Sequence, residues 1–147
     1  MRILLASIAL IASGMAHAGN CSIDLKGDDA MKFDQSTVTV SASCKTITVN
    51  LTHTGKLPAA TMGHNIVIAA SGDLQGIAND GMKAGLAANY VKAGDTRAIA
   101  HTTVVGGGGK ASTSFPGNKL KAGGDYMFFC TAPGHWAVMK GQVVVVK

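Results

Sequence analysis

Two strongly β-forming segments, Asp125–Cys130 and Gln142–Val146, are joined by Cys130-Thr131-Ala132-Pro133-Gly134-His135-Trp136-Ala137-Val138-Met139. The Pro-Gly pair forces a turn. The chain must therefore double back between two strands, and a thiol, an imidazole and a thioether in the spacing C-x4-H-x3-M return toward one point. A fold built on this segment has to offer one end of a sheet at which a tight loop can close.

The rest of the chain supplies more strands. Ser36–Ala42 and Thr46–His53 are rich in Thr and Val and alternate in polarity, as half-buried strands do. In the second, Ile47, Val49 and Leu51 share a face with His53. His64–Ala70 reads as a strand buried on both sides. Arg97–Val105 and Ala111–Phe115 read as weaker strands around a flexible hairpin turn, Gly106–Gly109. About seven or eight short strands in one domain point to an all-β sandwich or closed barrel. Leu74–Val91 breaks the pattern: with Gly76, Gly81 and Gly85 it has too many glycines for a long helix, and it predicts a short helix outside the sheets. The glycine run before Lys110 is not a phosphate loop, because Val104 and Ala111 occupy positions that G-x-x-x-x-G-K-[ST] requires. No internal repeat and no linker divides the chain.

The first residues carry a targeting pattern. Arg2 is followed by the apolar run Ile3–Ala12, with a single Ser, and by the small-x-small site Ala16-His17-Ala18. That run is shorter than the roughly 20 apolar residues a membrane span needs. Residues 1–18 are expected to be a signal peptide cleaved after Ala18, leaving one domain, 19–147, in the periplasm. Without Arg2 the 13 Lys and Arg become 12 against 8 Asp and Glu, a net charge of +4. These basic residues are scattered, which argues against a nucleic-acid partner.

An exported protein keeps disulfides, and the three cysteines leave one over. Cys21 and Cys44, near the first predicted strands and without a neighbouring His, are the natural pair. Their loop would contribute about 3 kcal/mol on the chain-entropy model. Cys130 is the remaining thiol. Thiolate and thioether suit copper(I), and imidazole suits both copper oxidation states; two His and one Cys with a long axial Met form an electron-transfer copper site. The loop holds one His. The best second candidate is His64, which follows Met62-Gly63, where the Gly63 carbonyl is free to approach a metal. Structural zinc seldom uses Met. A Cys130 nucleophile with His135 as base would leave Met139 unexplained.

Cys21 and Cys44, Met62-Gly63-His64-Asn65, Asp80-Gly81-Met82, Ile99-Ala100-His101-Thr102, Tyr126–Cys130, Pro133-Gly134-His135 and Met139-Lys140-Gly141 together resemble the azurin group of the cupredoxins, the type 1 blue-copper family. The resemblance covers essentially all of 19–147, a plastocyanin-like copper-binding domain. It implies an eight-stranded Greek-key β-sandwich with a short helical flap around Gly72–Val91. One copper ion, cycling between Cu(I) and Cu(II), would be held by His64, Cys130 and His135, with Met139 axial and the Gly63 carbonyl a distant second axial donor. Asn65 would brace the ligand loops near the Cys sulfur.

The implied function is one-electron carriage without transformation of a substrate. Partners would be c-type cytochromes and periplasmic reductases or dehydrogenases, met as a monomer or weak dimer. A copper storage or delivery module is the alternative. Met31, Leu57, Met62, Met82, Pro133 and Val138 would form an apolar docking patch, consistent with the absence of charge in Leu57–Ser71 and Thr131–Met139. Trp136 either enlarges that patch or packs the loop onto the sandwich. His53 reads as a buried core histidine, and the resemblance places it near the copper site in an electrostatic role. His101 reads as a surface or strand-edge residue. Two departures from the family are Ala132, where an aromatic is usual, and Ile66, where some members carry a Trp.

Overall fold

Eight strands form two sheets in the computed structural model, which describes residues 19–147, and those at Ser22–Gly27, Thr46–His53 and Lys140–Val146 alternate in burial along their length. The expected signal peptide lies outside the described residues. The strands are β1 Ser22–Gly27, β2 Thr37–Ser41, β3 Thr46–His53, β4 Val67–Ala70, β5 Ala100–His101, β6 Lys110–Pro116, β7 Tyr126–Phe129 and β8 Lys140–Val146. One sheet has the order β1-β3-β6 and the other β2-β8-β7-β4-β5. Ile23 and Leu25 of β1, Ile47, Val49 and Leu51 of β3, Val38 and Val40 of β2, and Val143 and Val145 of β8 fill the space between them. Each such side chain contributes about 1.5–3 kcal/mol by leaving water. Among the described residues no helix is long and apolar enough to cross a membrane.

The sequence reading does not anticipate β1. Its period-2 burial is plain in the structure, but Asp24, Lys26 and Gly27 lower its β propensity. Parallel pairing with β3 overrides that, from Ser22 opposite Thr48 to Gly27 opposite His53. The expected strand His64–Ala70 is shorter, Val67–Ala70. Before it, the Thr102 hydroxyl takes the Ile66 N–H at 3.0 Å and interrupts the ladder. His64 joins only through an isolated bridge to Val105. The expected strand Arg97–Val105 accordingly contracts to β5.

Gly106–Gly109 is not a hairpin turn, because the strands it connects lie in different sheets. It is a crossover pinned to the loop after β3. The Gly108 N–H donates to the His53 carbonyl at 2.9 Å, the His53 N–H to Gly109 at 2.8 Å, and the Gly107 N–H to Leu57 at 2.8 Å.

The flap contains a full three-turn helix, α2 Leu74–Ala84. A short helix, α1 Ala59–Met62, precedes β4. The buried stripe Leu74, Ile77, Ala78, Gly81 follows helical spacing. It covers Val67, Ala69 and Phe129 on the outer face of β4 and β7, which is why β4 is buried on both sides. Glycine inside the helix is a packing choice: a Cβ on Gly81 would overlap the Tyr90 carbonyl. Arg97 ties α2 to the following loop, donating from Nη2 to Asp80 at 2.7 Å and to Asp95 at 2.6 Å. Hydrogen bonds from its guanidinium hold both carboxyls below their ordinary pKa. Cys21 and Cys44 form a disulfide with Cα atoms 5.6 Å apart, tying the start of β1 to the β2–β3 connection.

Candidate metal centre

The loop from β7 to β8 closes on its own backbone. The Cys130 N–H donates to the Met139 carbonyl at 3.0 Å, and the Met139 N–H to the His135 carbonyl at 2.7 Å. Gly134, at φ 79°, makes the reversal. Cys130, His135 and Met139 are all buried as a result. His64 arrives from the other side, held by reciprocal bonds with Val105 at 3.0 and 2.9 Å.

The three side chains meet. His64 Nδ1 lies 3.2 Å from His135 Nδ1, and Cys130 Sγ lies 3.5 Å from His135 Nδ1. All three donor atoms fall within 4.8 Å of one another. His64 Nε2–H donates to the Asp28 carbonyl at 2.7 Å, which leaves the Nδ1 lone pair facing the cluster. Gly27 forms the wall beside it: a Cβ there would lie 2.8 Å from His64 Cδ2 and 3.3 Å from the Met139 methyl. Met139 therefore ends at the same spot as the His64 ring. The Gly63 carbonyl also lies beside that ring, favouring its protonated form.

Asn65 links the segments that carry His64 and Cys130. Its Nδ2 donates to Thr131 Oγ1 at 2.7 Å, and its Oδ1 accepts the Thr131 N–H at 2.8 Å. The backbone N–H groups of Asn65 and Ala132 hydrogen-bond to the Cys130 sulfur. His53 stacks on His64, ring centres 4.4 Å apart and planes 8° from parallel. Its nitrogens serve the backbone: Nε2–H donates to Met62 at 2.8 Å, and Nδ1 accepts from Gly55 at 3.1 Å. His53 is thus a buried support and not a donor to the cluster. His101 is an exposed residue of the edge strand β5.

Burial controls the charge. It pushes the Cys130 thiol up to about 11, against the pull of the Asn65 and Ala132 N–H groups. It lowers His64, and takes His135 down to about 4 with help from the charge of His64. Both imidazoles are therefore neutral at pH 7 and able to ligate. The thiol becomes a thiolate only with a cation beside it. Two nitrogens, a sulfur and a nearby thioether match copper; they do not match calcium or magnesium, which take oxygen ligands.

Surrounding residues are placed unevenly. Leu57, Met82 and Val138 are exposed at 39, 40 and 65%. Pro133 is exposed, and Met31 and Met62 are half-buried. Val138 borders a cleft of about 260 Å³ that also contains Lys32, Asp34 and Lys140, so charge reaches that flank of the apolar surface. Trp136 is half-buried and packs against the cluster that α2 covers. It packs the loop onto the α2 side, with part of the ring left at the surface. Among the described residues no buried side-chain nitrogen or oxygen lacks a partner. His135 engages the cluster through Nδ1 and keeps 5% of its surface exposed. Ala132 is buried in the main core and Ile66 is fully enclosed, so neither departure opens the centre.

Gly27 and Asp28 are the site residues that sequence reasoning misses. A glycine at the end of a strand is common, and the Asp28 contribution is a backbone carbonyl, which no side-chain motif encodes.

Residues 19–146 match the profile of copper binding proteins, plastocyanin/azurin family. Azurin from Alcaligenes faecalis is 53% identical over 123 residues, spanning 84% of this chain and 96% of that protein. Azurin from Bordetella pertussis is 51% identical over 145 residues, 97% of each chain. Azurin from Pseudomonas aeruginosa is 48% identical over 143 residues, 96% of this chain and 97% of the other.

Proposed function

The chain belongs to the plastocyanin/azurin family of copper-binding proteins, and we propose that it carries single electrons between redox proteins of the periplasm. The ligands are His64, Cys130, His135 and Met139, with the Gly63 carbonyl more distant. The observation that carries this reading is the convergence of His64 Nδ1, His135 Nδ1 and Cys130 Sγ within 4.8 Å. Copper, when bound, supplies a one-electron couple between Cu(I) and Cu(II).

The protein's part is to keep its donors still. His64 is clamped between the Asp28 carbonyl and the His53 ring. Thr131 is locked to Asn65. Cys130, His135 and Met139 share one closed hydrogen-bonded loop. Donors that cannot move between oxidation states keep the reorganisation accompanying transfer small. The His135 edge is the route outward, because its loop carries the exposed Pro133 and Val138.

Residues 1–18 act as the signal peptide, and the disulfide suits the oxidising compartment beyond the membrane. Redox proteins such as c-type cytochromes would dock on the apolar end around His135. A charge placed there has to be desolvated by the partner. Met82→Lys and Met62→Lys should leave the visible spectrum unchanged. Stopped-flow exchange with a c-type cytochrome should slow about tenfold, for about 1.4 kcal/mol lost. Wild-type exchange should vary little with salt. If both variants exchange at the wild-type rate, and the rate collapses with ionic strength, docking is charged and lies elsewhere.

A further inference from the structure

We propose that Asn89, in the flap and outside the ligand loops, is a positioning residue for the Cys130 ligand; this rests on the reading that Cys130 holds copper. Asn89 and Tyr90 are consecutive non-glycine residues in the left-handed region, at φ 55° and 52°. Asn tolerates that conformation, but a pair of such residues persists only when the surroundings hold them. Here they are held on every side. The Asn89 N–H donates to Leu86 at 2.8 Å and the Tyr90 N–H to Gly85 at 3.0 Å. Asn89 Oδ1 accepts the Val104 N–H at 2.9 Å, and the Tyr90 carbonyl rests against Gly81.

The outcome of this geometry is the aim of one carbonyl. Asn89 O accepts from Asn65 Nδ2 at 2.8 Å. The other Nδ2 hydrogen goes to Thr131 Oγ1, and Asn65 Oδ1 accepts the Thr131 N–H. Rotating the Asn65 amide by half a turn would set its oxygen against the Asn89 carbonyl and its NH2 against the Thr131 N–H. Asn89 therefore selects the single orientation in which Asn65 grips Thr131. That grip holds the Asn65 backbone N–H on the Cys130 sulfur. A bond donated to the thiolate favours the more electron-rich, reduced state, as such outer contacts do at metal centres. The Asn89 side chain also holds Val104, next to the Val105 bridge that fixes His64. One residue thus braces both ligand segments.

Asn89→Gly deletes the side-chain bond to Val104 and, lacking a Cβ, frees the backbone to leave the left-handed region, so the carbonyl is no longer held on Asn65. In the metal-free protein, NMR should show the Asn65 side-chain amide protons exchanging at least about tenfold faster. In the copper-loaded protein, the reduced-to-oxidised ratio at a fixed solution potential should fall about threefold, about 28 mV at 59 mV per tenfold. Leu86→Ala, which trims an exposed side chain of the same segment and keeps the backbone bond to Asn89, should leave the potential at the wild-type value. An unchanged potential in Asn89→Gly, or an equal shift in Leu86→Ala, overturns the proposal. If the wild-type protein with copper is not blue, the electron-carrier reading fails by itself, and unchanged Asn65 exchange would overturn the Asn89 link separately.

Discussion

Cys130→Ser is expected to abolish the intense visible thiolate-to-copper band and to weaken copper binding by at least about a hundredfold, about 2.8 kcal/mol. The cause is local. Cys130 is the single thiol left after the disulfide, and it is fully buried in the core. A serine hydroxyl there is smaller and harder, does not ionise in this pH range, and is a poor partner for copper(I). The Asn65 and Ala132 N–H groups that faced the sulfur would keep an acceptor. The metal-free variant should therefore fold, with circular dichroism like that of the wild type. A copper-loaded variant that keeps the band would remove Cys130 from the ligand set.

Replacing both disulfide cysteines by alanine should destabilise the metal-free protein by about 3 kcal/mol. For a domain of this size that lowers the melting temperature by about 10 °C. The copper spectrum should not change. Cys21 precedes β1, whereas Gly27, at the far end of the same strand, borders His64. Six residues of strand put about 20 Å between them. The contrast separates the two roles proposed for sulfur in this chain: one cross-link holds the sandwich, and the Cys130 thiol is offered to the metal. A spectrum that shifts along with the melting temperature would mean that the two ends are coupled.

The cluster of His64, Cys130 and His135 is legible because soft donors, a turn and flanking strands coincide within ten residues, and because His64 follows a glycine. The β3 face is legible for the same kind of reason, since Ile47, Val49, Leu51 and His53 alternate without interruption. What stays hidden depends on contacts between distant segments. β1 is recognisable only beside β3. The glycines of α2 look like helix breakers until Tyr90 is seen against Gly81. The Gly106–Gly109 run looks like a hairpin because sequence does not reveal that its flanking strands belong to different sheets. Asp28 holds His64 with a backbone carbonyl, and any residue type carries one.

The account stands most directly on a reductive titration of the copper-loaded protein followed by visible absorption. Metal-free protein given one equivalent of copper(II) should turn blue. One electron per chain should bleach it, and reoxidation should restore the full band through repeated cycles. A protein that binds copper without the blue band, or that loses its metal on reduction, would contradict electron carriage at this centre.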